Sequence, residues 1–210
     1  MRIGIDLDNT LVCYDQLFWT LARERGVIDV AIPPRKEAIR DELRRRGLEA
    51  VWTALQGEAY GPRILDAAAF PGVQDALIEF RRLGWTVFVI SHKTRTPIVG
   101  PDYDLHAAAR SWLSAQNWLS EEAGLSEKPG FAIDAVFLEL TKEDKLRRIV
   151  ETGCDWFIDD LPELLTVPEF PPHVRRALFD PHRQAEPLPG IRAFHDWREA
   201  ASLIAAETPQ

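Results

Sequence analysis

The sequence is poor in cysteine: 210 residues hold only Cys13 and Cys154. A disulfide scaffold is therefore not what organises the chain. One cysteine follows an apolar run and the other precedes one, and both read as structural thiols. There is no run of about 18 apolar residues, so no membrane span is expected. Basic residues are in deficit, with 25 Lys and Arg against 33 Asp and Glu and a net charge of −8. Nucleic acid polymers are bound through basic surfaces, so that class of partner is disfavoured. A small phosphorylated molecule, which needs only a local positive site, is not. Neither a basic leader nor a signal-like apolar stretch opens the sequence, which points to the cytoplasm. Repeats and low-complexity tracts are absent too. Oligomeric state leaves no mark in the sequence.

What remains is an ordinary globular composition, 46% hydrophobic and 28% charged. The length suits one large domain, or a core with a small insert. Apolar runs rich in Val, Ile and Phe occur at Ile3–Leu7, Thr86–Ile90, Ala135–Leu138, Trp156–Ile158 and Ala177–Phe179. Such unalternating runs suit parallel strands covered on both faces. Between them lie helical periods: Val73–Leu83 closed by Gly84, Leu105–Leu119, and Lys145–Thr152 closed by Gly153. Alternating strands and helices predict a doubly wound, Rossmann-like α/β sheet. Residues 14–70 break that rhythm, with helical pattern and no convincing strand. They read as a helical cap insert, leaving 1–13 and 71–210 as the core. An insert just after the first strand is well placed to act as a lid. Lys93–Pro101 reads as a loop, Leu161–Pro172 as irregular, and the chain after Thr208 as frayed.

Chemistry-bearing residues gather at the ends of these runs. Asp6 and Asp8 close the first run two residues apart, with Thr10 two further on. Residues i and i+2 of a strand point to the same side. Two acids delivered to one place are costly unless a cation or substrate offsets their charge. Ser91 follows Thr86–Ile90, and Asp159-Asp160 follow Trp156–Ile158. Thr141-Lys142-Glu143-Asp144-Lys145 opens a helix, with Thr141 as its cap. In a parallel sheet the carboxyl ends of the strands share the edge where ligands bind.

This ordered set resembles the haloacid dehalogenase (HAD)-like superfamily, phosphatase type. Its motifs are Asp-x-Asp-x-Thr after a hydrophobic strand, a strand-ending Ser or Thr, a Lys opening a helix, and an acidic pair. All four occur in order over about three quarters of the chain. The resemblance implies Asp6 as a nucleophile that forms an aspartyl phosphate. It implies Asp8 as acid and base, with its backbone carbonyl on the metal. Ser91, a lysine and Thr10 would hold the phosphoryl oxygens. Asp6, Asp8, Asp159 and Asp160 would gather Mg²⁺, the hard divalent ion that suits oxygen ligands. The lysine is Lys145 or Lys142; similarity to the 5'-deoxyribonucleotidase branch favours Lys145. Dehalogenases of this superfamily lack the second acid, so Asp8 favours phosphoryl transfer. Two departures stand out: Asn9 replaces a common Gly, and the acidic pair is adjacent rather than spaced.

Other residues are read both ways. His92 and Lys93 either touch substrate or begin a solvated loop. His106 reads as packing before chemistry, and Arg35, Lys36, Arg40 and Arg44–Arg46 as a solvated face before a phosphate-reading surface. Trp52–Gly61 is the candidate for substrate selection, although its tryptophan also suits a core. The expected function is Mg²⁺-dependent hydrolysis of a small phosphorylated metabolite. Alternatives are a phosphotransferase or phosphomutase, a receiver domain phosphorylated on Asp, and a non-catalytic phosphate-binding protein.

Overall fold

The computed structural model describes residues 1–119 and 132–207, so the fraying expected after Thr208 lies outside the described residues. Six strands form one parallel sheet: β1 (Arg2–Ile5), β4 (Thr86–His92), β5 (Ala135–Glu139), β6 (Trp156–Asp159), β7 (Arg175–Phe179) and β8 (Ile191–Phe194). Two further strands, β2 (Val12–Cys13) and β3 (Ala68–Ala69), pair antiparallel with each other. The sheet order is β5-β4-β1-β6-β7-β8. The chain thus leaves β1 toward one edge and later returns to its other side. That reversal between β1 and β6 is the switch point where doubly wound sheets bind ligands.

The helices are α1 (Asp15–Glu24), α2 (Lys36–Arg45), α3 (Glu49–Tyr60), α4 (Val73–Arg82), α5 (Leu105–Ala115), α6 (Lys142–Glu151), α7 (Pro162–Leu165) and α8 (Ala200–Ala206). The α/β Rossmann-like architecture is as the sequence predicts, with local differences. β1 ends at Ile5, short of Leu7, and the chain turns at Asn9, whose φ is 59°. α5 stops at Ala115 instead of reaching Leu119, where Asn117 takes a left-handed φ of 60°. The 161–172 stretch carries the short α7. β2, β3 and β8 are additions; two-residue strands have no period to read, and β8 buries only its first and last residues.

Both faces of β1 are filled. Ile3 and Ile5 are fully buried, and Gly4 lies against β6. A Cβ at Gly4 would sit 2.6 Å from the Phe157 ring and 2.9 Å from the Cys154 sulfur. Glycine there is what lets β6 carry a phenylalanine beside β1. α1, α2 and α3 lie between β2 and β3 and pack on one another. Phe18 of α1 stacks on Trp52 of α3 at 4.7 Å, and both are buried. Trp52 is therefore core. Burial of side chains of this size stabilises by about 1.5–3 kcal/mol each. Among the described residues no helix is long and apolar enough to cross a membrane.

Candidate active site

Parallel register brings the first acids together. Ile5 pairs with Ile158, and one step on, Asp6 N–H donates to the Ile158 carbonyl at 2.9 Å. Asp6 and Asp159 thus leave neighbouring strands at the same level. Asp6 is 5% exposed and Asp159 fully buried. Thr141 caps α6 by accepting from the Asp144 N–H at 3.0 Å. One helical turn further in, Lys145 reaches between the two strands. Its ammonium donates to Asp6 Oδ1 and Asp159 Oδ2, both at 2.6 Å, and lies 5.3 Å from the Phe157 ring. Lys142, the other sequence candidate, stands exposed on the first turn. Lys142 lies a turn closer to the exposed helix start, and of the two lysines only Lys145 meets Asp6.

Asp159 Oδ1 accepts the Leu161 N–H at 2.9 Å, which fixes its second oxygen. Asp160, half-buried, accepts from the Thr10 hydroxyl at 3.3 Å. Thr10 is fully buried, and its carbonyl accepts the Trp197 indole N–H at 2.9 Å. Carboxylate oxygens of Asp6, Asp159 and Asp160 lie within 4.8 Å of one another. A purely oxygen donor set of that kind fits a hard divalent cation.

Asp8 has different company. Its Oδ1 accepts the Tyr14 hydroxyl at 2.7 Å, and its Oδ2 takes the Lys93 ammonium at 2.7 Å. Lys93 is 4% exposed and sits 4.7 Å from the Tyr60 ring centre. The half-buried Lys36 approaches the same ring at 5.7 Å and Phe18 at 5.9 Å. The expectation of a solvated face therefore fails for Lys36, which turns inward. Lys93 is not part of a solvated loop either.

These settings separate the two acids electrostatically. Burial drives the Asp6 carboxyl up; Lys145 opposes the rise, Asp159 and Asp8 add to it, and it settles at about 7. Asp160 is also raised, by burial first and then by Asp159 and Asp6. For Asp8 burial pushes upward as well, but the Lys93 charge and the hydrogen bonds from Lys93 and Tyr14 outweigh it. Asp8 is held below the usual carboxylate range. Burial and Asp8 both keep the Tyr14 phenol protonated, so it remains a donor. With all four acids ionised, three ammoniums face four carboxylates.

Ser91 is 1% exposed and lies within β4, which runs on to His92. His92 is exposed, and its Nε2–H donates to the Leu140 carbonyl at 3.1 Å. It also borders a cavity of about 360 Å³ over Asp8, between α3 and the 93–98 loop. His106 serves packing, with its Nε2–H donating to the Lys93 carbonyl at 2.8 Å. Tyr60 falls within Trp52–Gly61, the segment the sequence marks for substrate selection, whereas Tyr14 and Lys36 carry no mark as site residues. Their signal is only their place in a segment with no strand pattern, just after the acids.

No protein-family model and no curated protein matches the chain. Solved structures do match in fold. A HAD-superfamily hydrolase from Ehrlichia chaffeensis aligns with a TM-score of 0.54 and 13% identity, covering 98% of this chain and 96% of that one. A HAD-superfamily hydrolase of subfamily IA, variant 1, from Geobacter sulfurreducens aligns at 0.51 and 13%, covering 97% and 95%. An L-2-haloacid dehalogenase aligns at 0.53 and 13%, covering 97% and 98%. The fold is thus that of the HAD-superfamily hydrolases.

Proposed function

We propose that this protein is a Mg²⁺-dependent phosphatase that hydrolyses a small phosphorylated metabolite through an aspartyl phosphate on Asp6. The observation that carries this reading is the separation of Asp6 and Asp8 into two electrostatic settings within one site. An attacking carboxylate and a proton-handling carboxylate need different neighbours. A haloacid dehalogenase, the activity of one solved structure that shares this fold, attacks carbon, and the resemblance implies that it lacks the second acid, here held by a lysine and a tyrosine.

Asp6, Asp159 and Asp160 would hold the cation, with the Asp8 carbonyl as a further donor. When bound, it screens the phosphate's negative charge from the Asp6 carboxylate. An Asp6 oxygen attacks phosphorus, and the bond to the leaving oxygen breaks. Asp8 gives that oxygen its proton. In the second half Asp8 takes a proton from water, and the water oxygen attacks phosphorus to free Asp6. Lys145, already on Asp6, and the buried Ser91 supply donors to the transferring oxygens. Asp8, ionised in the resting site, is ready for the second half. Acting as an acid in the first half requires Lys93 to loosen its hold. The insert 14–70 acts as the cap, bringing Lys36 and Tyr60 over the strand ends.

A phosphotransferase would use the same first half with an alcohol in place of water. The test is turnover of p-nitrophenyl phosphate with Mg²⁺ and with EDTA, alongside chloride release from 2-chloropropionate. Metal-dependent phosphate release without chloride release supports the reading. Chloride release without phosphate release contradicts it.

A further inference from the structure

The cavity over Asp8 contains an ammonium whose donors Asp8 alone does not use up. Its walls include Thr53, Gln56 and Tyr60 from α3, and His92 and Lys93 from the chain leaving β4. Thr53 and Gln56 are three residues apart, so one helix face offers a hydroxyl and an amide. Gly57 permits this arrangement: a Cβ there would meet Pro97 at 2.9 Å and the Val99 carbonyl at 3.1 Å. α3 and the 97–99 loop therefore close on each other directly below the polar wall.

Lys93 is the ammonium of this cavity. Its side chain is 3% exposed. Among the described residues its one hydrogen-bond partner is Asp8, and the Tyr60 ring faces its charge. An ammonium has three donors. Burying a lysine with donors to spare is expensive unless a ligand uses them. Asp8 marks the side of the site where the ester oxygen departs, so Lys93 addresses the leaving group and not the transferred phosphoryl group. The volume of about 360 Å³ limits that group to a short chain or a single sugar ring.

We propose that the preferred substrate is a short phosphomonoester whose leaving alcohol carries a second anionic group, a carboxylate or another phosphate, seated on Lys93. Gln56 adds neutral hydrogen bonds to the same moiety, while the Thr53 hydroxyl, which donates to the Glu49 carbonyl at 3.0 Å, accepts from the hydroxyls of the leaving alcohol. This rests on the phosphatase reading and names the substrate class of that site.

The test compares kcat/KM within matched pairs under Mg²⁺: 2-phosphoglycerate against glycerol 2-phosphate, and fructose 1,6-bisphosphate against fructose 6-phosphate. The first pair probes a carboxylate, the second a phosphate. A charge-assisted hydrogen bond predicts a preference of about tenfold or more for the anionic member of at least one pair. Lys93→Met should bring that ratio close to one, whatever it does to the absolute rates through Asp8, and Lys93→Arg should retain most of it. Equal turnover of both members overturns the inference and leaves the phosphatase intact, as does a preference that survives Lys93→Met. Failure to turn over any ester, p-nitrophenyl phosphate included, removes the phosphatase reading and this inference with it.

Discussion

The two acids of the site stand two residues apart and are built from different parts of the molecule. The Asp6 side is made by the sheet and α6: a backbone ladder sets Asp6 beside Asp159, and Lys145 reaches both at 2.6 Å. The Asp8 side is made by the insert and the segment after β4: Tyr14, Tyr60 and Lys36 from one, Lys93 from the other. In the proposed reaction, one side would supply a rigid place for chemistry common to a reaction class. The other would surround the departing group, where a substrate differs from its competitors. Loops and inserts on a fixed scaffold are where such differences are made.

Breaking the Asp6 side should have the larger effects. Asp6→Asn removes the attacking oxygen charge and should lower kcat by about a thousandfold or more, read by steady-state phosphate release. Lys145→Met leaves Asp6 and Asp159 facing each other without their shared cation. It should abolish turnover and destabilise the metal-free protein by about 3–5 kcal/mol in urea unfolding. Lys142→Ala, three residues away and exposed, should change both by less than about 0.5 kcal/mol. A large loss there would reverse the assignment of the two lysines.

The same comparison has a pH signature. Asp6 rises from 3.8 to about 7 in the folded state, so the metal-free fold binds more protons than the unfolded chain between those values. That contribution is full below about pH 4 and is lost as the pH rises through about 7. Asp160 shifts in the same direction. Asp8 shifts the other way, so its contribution is present above its unfolded value and is lost only as the pH falls below it. At the proposed metal site Mg²⁺ would bind the ionised Asp6 and Asp160, so it should raise the Tm more at pH 7.5 than at pH 5. Thermal scans with Mg²⁺ and EDTA at both values read this, and an equal rise at both would contradict it.

The contrast also explains what the sequence reveals. Asp6, Ser91 and Asp159 sit at the ends of apolar runs, and parallel register alone carries such ends to one edge. The Thr141 cap marks the helix start but leaves both Lys142 and Lys145 in reach; the resemblance favours Lys145, and its ion pair with Asp6 distinguishes it. Lys93 meets Asp8 across 85 positions, and Lys36 turns inward because α2 packs on α1 and α3. Neither has a period or spacing that marks it. A charge-rich helix reads as solvated until its neighbours are known. β8 and the β2–β3 pair are hidden for a related reason: what defines them is the partner strand, not their own pattern.

The central claim, Asp6 as the group that accepts the phosphoryl, is tested most directly by trapping it. Protein turning over a phosphomonoester with Mg²⁺ is quenched in acid, and its peptides are mapped by mass spectrometry. The account predicts a phosphoryl group on the peptide carrying Asp6, located on that residue and absent from Asp6→Asn. A phosphoryl group on another residue would contradict it, as would steady turnover in which no residue becomes phosphorylated.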